Sequence, residues 1–307
     1  MIFFKKPCSN FSDLSDTLFD FIVNLILIII LLVALYPLYF VVIASFSDPD
    51  AVNSGAMLLY PINKESGLIN FQGYIRVFKD HRIWLGYYNT ILYTFFGTLI
   101  GLLATTLAGY SLSRKDLVGK NLITAIFVFT MYFSGGLIPR YMVVDKLNLI
   151  NTPFIMILLG SVSVYNIIIA KSFFQNTISS ELQDAAFIDG CGNGLFFLKI
   201  VLPLSKSIVA VLALYYAVGH WNSFFTALIY LNNEKLYPLQ LILRDILIAS
   251  QMLVSDITDM ESIGDAQRIA ESLKYAVIIV STLPVLIMYP FLQRYFVKGV
   301  MIGSVKG

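Results

Sequence analysis

Charge is what this 307-residue sequence has least of. Asp, Glu, Lys and Arg together make up 13% of it, where a soluble domain carries about 25%. Hydrophobic residues reach 58% and aromatics 14%, more apolar surface than a water-soluble fold of this size hides beneath so few charges. Neither sign dominates, with 21 Lys and Arg against 19 Asp and Glu. That excludes the basic field of a nucleic-acid binder, and the composition excludes low-complexity disorder and a collagen-like chain. Cysteine is scarce too: Cys8 and Cys191 are too few for a disulfide scaffold and too far apart for a local metal knuckle. No apolar run precedes Cys8, so no lipoprotein anchor is expected there. No Gly-x-x-x-x-Gly-Lys-Ser/Thr string occurs, so the chain has no phosphate loop, and any energy must come from a partner or an ion gradient. What remains is an integral membrane protein.

A helix needs about 20 apolar residues to cross the hydrocarbon core. Six stretches qualify: Phe21–Phe46, Tyr88–Leu112, Leu122–Pro139, Pro153–Ala170, Ser207–Leu231 and Tyr275–Leu292. The first is too long for a cleaved signal peptide, has Asp13, Asp16 and Asp20 before it, and lacks a small-residue cleavage site after it. An even number of spans puts both termini on one side. With the termini inside, the short loop Ser113–Lys120 contributes Arg114, Lys115 and Lys120, and the inside pieces hold 11 of the 21 basic residues. By the positive-inside rule both termini are expected to be cytoplasmic. The predicted fold is all-α, with six transmembrane helices. The expected division is residues 1–87 (tail, first span, extracellular segment), 88–292 (transmembrane domain) and 293–307 (cytoplasmic tail).

The longest cytoplasmic connection, Lys171–Lys206, carries a pattern of its own. Ser180 followed by Gln183 reads as a capping box opening a helix, and Glu181 suits the positive end of its dipole. Leu182, Ala185, Ala186 and Phe187 gather its apolar surface, and Gly190 is placed to end it. A short amphipathic helix at the membrane face, tied to the next span, can fill a groove in another protein.

Here the residues match a known pattern. Asp184-Ala185-Ala186, then Gly190, then Ile200-x-Leu202-Pro203, with nine residues between the glycine and the isoleucine, resembles the "EAA" loop of type I ABC importer permeases. Asp184 stands where that family usually has Glu, which keeps the charge and shortens the reach. Tyr132–Pro139, Gly219–Ser223, Gln293–Gly299 and the ending Gly299–Gly307 resemble the carbohydrate-importer permeases, in particular the aldouronate and complex-oligosaccharide subgroup. The resemblance implies a bacterial plasma-membrane permease subunit of an ATP-driven sugar importer, its six helices in the type I arrangement. It implies a second homologous permease, a cytoplasmic ATPase dimer that binds ATP and Mg, and an extracellular solute-binding protein. This chain would bind no cofactor, catalyse no reaction and hold no metal. Its coupling residues would be Glu181, Asp184, Ala185, Ala186, Phe187, Asp189, Gly190, Leu202 and Pro203. The face made by Ala185, Ala186 and Phe187 is expected to meet the ATPase.

Polar groups at membrane depth need a partner or a water-filled cavity. Span 2 has Asn89, Thr105 and Thr106; span 4 has Ser161, Ser163, Tyr165 and Asn166; span 5 has His220, Trp221, Asn222, Ser223 and Thr226. A sugar is recognised by amides, hydroxyls and aromatic faces. The family implies that spans 4 and 5 line the path, so Tyr165, Asn166, His220, Trp221 and Asn222 are the candidate path residues. Gly97-x-x-x-Gly101 is expected to permit close packing against a neighbouring helix. An ion-coupled secondary transporter is the alternative, but it favours buried acids and paired broken helices. The spans hold essentially no interior Asp or Glu. A membrane enzyme would need a catalytic set at the bilayer face, which the scattered loop acids do not form.

Overall fold

The structure is a computed structural model that describes residues 12–55, 59–62, 69–256, 268, 270, 272–288 and 290. All regular elements among them are helical. The expected tail 293–307, Cys8 and the acids Asp259, Glu261, Asp265 and Glu271 lie outside the described residues.

The chain divides into two compact units, Met1–Val77 with Ser250–Ile279, and Phe78–Ala249 with Val280–Gly307. In the first unit, α1 (Ser12–Ser45) is apolar and long enough to cross a membrane from Asp16 onward. It is followed by α2 (Pro49–Asn53) and α3 (Gln72–Lys79). The turn after α1 is tied by polar contacts. Tyr74 donates to Ser45 Oγ at 2.7 Å, and Arg268 reaches Asp48 and Asp50, each at 3.5 Å.

The second unit is built around α4 (His81–Ser113), which is also long and apolar enough to span. It starts before the expected Tyr88 because Asp80 caps it, accepting from the Arg82 N–H at 2.9 Å. Then come α5 (Lys120–Tyr132), α6 (Leu137–Lys146), α7 (Pro153–Leu158) and α8 (Val164–Thr177). α9 (Ser180–Ile188) and α10 (Asn193–Leu204) form the loop, and α11 (Lys206–Trp221) and α12 (Phe224–Tyr230) return from it. α13 (Leu239–Asp256) follows, and α14 (Ser272–Met288) is the last described helix.

Three of the expected continuous spans are broken. Leu122–Pro139 bends by 110° between α5 and α6, where Gly136 sits at φ +83°. Pro153–Ala170 is interrupted between α7 and α8, where Gly160 sits at φ +91°. Ser207–Leu231 stops at Trp221 and resumes at Phe224. The sixth stretch is described only as far as the end of α14 and Pro290. Irregular backbone at membrane depth survives only where protein or a water-filled cavity satisfies it, so the breaks point to a cavity.

α4 packs against both α8 and α11. A Cβ at Gly97 would overlap the imidazole of His220, and one at Gly101 would overlap the Ser161 carbonyl and the Tyr216 ring. The Gly97/Gly101 pair therefore serves close helix approach within the chain. Thr105 and Tyr216 hydroxyls meet at 2.5 Å beside it. Asn89 donates to the Lys235 and Tyr237 carbonyls at 2.8 and 3.0 Å, and Thr106 to the Leu102 carbonyl at 2.6 Å. Asn89, Thr105 and Thr106 are thus fully engaged in holding helices and turns together.

Candidate functional site

The loop after α8 is built from short-range chemistry. Ser179, not Ser180, caps α9: its Oγ accepts from the Leu182 N–H at 3.3 Å. With Ser179 as the cap, the third helical residue is Leu182, so the expected Ser180/Gln183 capping box does not form, while Glu181 does stand in the first turn. Its carboxylate is held below the usual range by its own backbone N–H and then by the Ser179 hydroxyl. At the other end Gly190 lies at φ +80°, a conformation that a Cβ disfavours. The Gly190 N–H donates to the Phe187 carbonyl at 3.0 Å and the Cys191 N–H to the Ala186 carbonyl at 2.9 Å. This is the paired closure of a Schellman motif, with Cys191 packed near Ala186 as its apolar contact.

The two faces of α9 differ from expectation. Ala186 is only 8% exposed and packs inward, in a cluster with Tyr110, Ala170, Phe174, Phe196 and Phe197. Burial of a ring such as Phe196, 0% exposed, is worth about 2 kcal/mol. Ala186 is therefore an anchor to the chain's own body and is not on the outer face. Phe187 is shared: it is 37% exposed and meets Phe196 edge-on at 6.0 Å. The outward surface is made by Glu181, Asp184, Ala185, Ile188 and Asp189, with Ile188 at 87% exposure. Residue types along nine positions do not say which apolar side faces home.

The return carries Leu202 and Pro203. Leu202 packs on the same cluster, and Pro203 is exposed. Proline has no N–H to offer the carbonyl four residues back, and its ring crowds it. The turn before it widens into a π-helical segment, Phe197–Val201. α10 then meets α11 at 82°.

Arg114, read from sequence only as a marker of sidedness, lies against the loop. It donates to Asp116 at 2.7 and 2.6 Å, to Tyr110 Oη at 3.1 Å and to Asn193 Oδ1 at 2.8 Å. Its guanidinium carbon is 5.7 Å from the Phe187 ring centre. The hydrogen bonds to Asp116 raise the Arg114 pKa, and Arg114 in turn holds Asp116 below the ordinary carboxylate value. Beside it, a cleft of about 510 Å³ opens between the Ser113–Lys120 turn and α9, where Lys115 reaches Ser180 Oγ at 3.3 Å.

A second site lies where the spans break. A cavity of about 800 Å³ is lined by Gly160 and Ser163 from the α7–α8 break, Tyr165 and Asn166 from α8, and Tyr215, Tyr216 and His220 from α11. Asn222, Ser223, Phe225 and Thr226 complete it. Of the five candidate path residues, Tyr165, Asn166, His220 and Asn222 line this cavity. Trp221 does not. It is 5% exposed, donates from Nε1 to the Ser281 carbonyl of α14 at 3.0 Å and lies 6.4 Å from the Tyr87 ring. A helix turns about 100° per residue, so Trp221 and Asn222 leave the end of α11 in different directions. The sequence reading missed Tyr215, Tyr216 and Phe225, since aromatic residues are common on every span. No group of three or more His, Cys, Asp or Glu among the described residues is arranged to hold a metal ion.

No protein-family model matches the chain. It is 38% identical over 294 residues, 96% of its own length and 100% of the relative's, to the polygalacturonan/rhamnogalacturonan transport system permease protein YtcP of Bacillus subtilis strain 168. It is 37% identical over 275 residues, 90% of each chain, to protein LplC of the same organism. Among solved structures it is similar to a bacterial ABC transporter involved in the import of the acidic polysaccharide alginate. There the TM-score is 0.79 at 32% identity, covering 95% of this chain and 100% of that one. Identity at this level over nearly the whole length, with the loop and the broken spans in place, shows that the chain belongs to the permease subunits of carbohydrate-importing type I ABC transporters.

Proposed function

We propose that this permease passes an oligosaccharide through the cavity lined by Tyr165, Asn166, His220 and Asn222, driven by an ATPase that docks on α9. The observation that carries it is the pairing of an open, uncharged, amide- and aromatic-lined cavity of about 800 Å³ with an exposed loop helix in the same compact unit. As an ABC importer permease the chain is a transport subunit, not an enzyme; hydrolysis falls to the partner ATPase. ATP and Mg are bound there, and this chain binds no cofactor of its own. The relatives are permeases of an ABC system, which favours this reading over ion-coupled secondary transport.

The finer assembly follows the family. A second, homologous permease completes the path, and an extracellular solute-binding protein delivers the sugar. The chain crosses the bacterial plasma membrane six times with both termini cytoplasmic. Residues 88–292 form the permease domain, preceded by 1–87 and followed by the cytoplasmic tail 293–307. Glu181, Asp184, Ala185, Phe187, Asp189 and the outward Ile188 meet the ATPase. Ala186, Gly190, Leu202 and Pro203 hold the loop in shape. Alternating access then works by tilting the spans around the cavity.

Names of the relatives direct the choice of sugar. One relative carries polygalacturonan and rhamnogalacturonan in its name, and the similar solved transporter imports alginate, so uronic-acid oligosaccharides come first. The test is uptake into vesicles holding the chain, its second permease and the ATPase, with the binding protein outside. Galacturonate or alginate oligomers should enter with ATP inside and no ion gradient. Uptake that follows a proton or sodium gradient and ignores ATP would sink the proposal, and uptake of arabino-oligosaccharides alone would sink the choice of sugar.

A further inference from the structure

We propose that Arg114 is the positioning residue that fastens the coupling loop to α4, so that displacement of the loop is passed to the cavity wall. It rests on the reading of α9 as the ATPase-facing helix. Arg114 is the residue that follows α4, and its side chain is only 12% exposed. One guanidinium grips both limbs of the loop. It bonds Asn193 Oδ1 at 2.8 Å, where α10 begins, and it covers the Phe187 ring at 5.7 Å, in the last turn of α9. Asp116 holds the other edge of the guanidinium by two bonds of 2.7 and 2.6 Å, and Tyr110 of α4 accepts at 3.1 Å.

Lys115 adds a single polar contact to Ser180 Oγ at 3.3 Å, and the other contacts between α4 and the loop are different in kind. Tyr110 lies 5.1 Å from the Phe197 ring, and Ala186 belongs to the same cluster. Apolar contacts resist separation but permit sliding, because dispersion and burial have little directionality. A guanidinium fork has direction, and with Asp116 fixing one edge it resists shear between the loop and α4. Up the same helix, Thr105 meets the Tyr216 hydroxyl at 2.5 Å, and Gly101 and Gly97 lie against Tyr216 and His220. Tyr216 and His220 line the cavity. A pull on the Arg114 end of α4 therefore reaches the cavity through packed groups with no soft segment between.

The experiment uses the complete transporter in lipid vesicles, with Arg114→Ala, Arg114→Lys, Asn193→Ala and, as a control on α9, Ile188→Asp. Three quantities are read: ATPase co-purification, sugar imported per ATP hydrolysed, and amide hydrogen exchange of residues 180–196. Arg114→Ala should keep the ATPase bound, lower the import-to-hydrolysis ratio about tenfold and speed exchange in the loop, a loss of coupling within the range known for positioning residues. Asn193→Ala, at an exposed position, should do the same by about threefold. Arg114→Lys should recover part of the ratio, since an ammonium reaches Asn193 or Tyr110 but lacks the fork.

A wild-type ratio in Arg114→Ala overturns the inference. So does loss of ATPase binding in step with loss of transport, which would make Arg114 a docking scaffold, and so does full recovery by Lys, which would leave no role for the fork. If Ile188→Asp retains the ATPase, the α9 reading itself fails. If Ile188→Asp releases the ATPase while Arg114→Ala behaves as wild type, only the Arg114 assignment falls.

Discussion

The loop that carries α9 and the cavity make an instructive pair. The loop is one segment, Ser179 to Pro203, and almost everything that shapes it is local: the Ser179 cap, the Gly190 closure and the widened turn before Pro203. The cavity has no segment of its own. It takes residues from two helix breaks, side chains from α8, α11 and α12, and aromatics that nothing in the sequence sets apart. Trp221 and Asn222 show the difference at single-residue scale. They are neighbours in the chain, yet one is a buried strut to α14 and the other faces the cavity. Local geometry makes a site legible, and assembly from distant pieces hides it.

Breaking the pair at Trp221 should give the largest effect. Trp221→Ala removes a buried indole and its bond to Ser281, and should cost about 3–5 kcal/mol, read as a lower melting temperature of the purified subunit. An unchanged melt would show that the strut carries no stability. Next comes Ile188→Asp, which puts a charge on the exposed apex of α9. ATPase affinity should fall about a hundredfold, or about 2.7 kcal/mol, with the melt unaltered. Asn222→Ala should leave both of those readings alone and slow sugar uptake about tenfold, a loss of about 1.4 kcal/mol. If Trp221→Ala and Asn222→Ala instead give matching profiles, the contrast between strut and cavity residue is wrong.

Smaller effects sharpen the comparison on the loop side. Ser179→Ala removes the helix cap and should cost about 1 kcal/mol of α9 stability, seen as faster amide exchange over its first turn. The same change at Ser180 should do less, because Ser180 does not cap. Acid should have the weakest effect. Asp116 has its pKa lowered by Arg114, so its contribution is complete above the unfolded value of about 3.9 and is lost as pH falls through the lower folded value. Loop exchange, corrected for its intrinsic pH dependence, should be flat from about pH 5.5 to 8 and loosen only below about pH 4. Loosening near neutrality would assign control to another group.

Ala186 marks a limit of pattern reading inside the legible region. The motif that places Asp184, Ala185 and Ala186 side by side gives no sign of which of them turns home, and the structure sends Ala186 into its own core. A substitution such as Ala186→Glu therefore disturbs this chain's packing before any partner is met.

What the sequence determined by itself is what depends on totals and on nearest neighbours. Scarce charge and long apolar runs require a membrane. The spacing from Asp184 through Gly190 to Pro203 makes a capped, closed and re-entering loop, since caps, left-handed glycines and proline clashes act within a few residues. Tertiary structure decided the rest. One span breaks where Gly160, at φ +91°, lines the cavity. Trp221 turns inward because Ser281, 60 residues away, presents a carbonyl. Arg114 becomes a fastener only because folding brings Asn193, 79 residues away, to its other side. Interactions at such separations leave no period in the sequence, because their geometry exists only after the helices have packed.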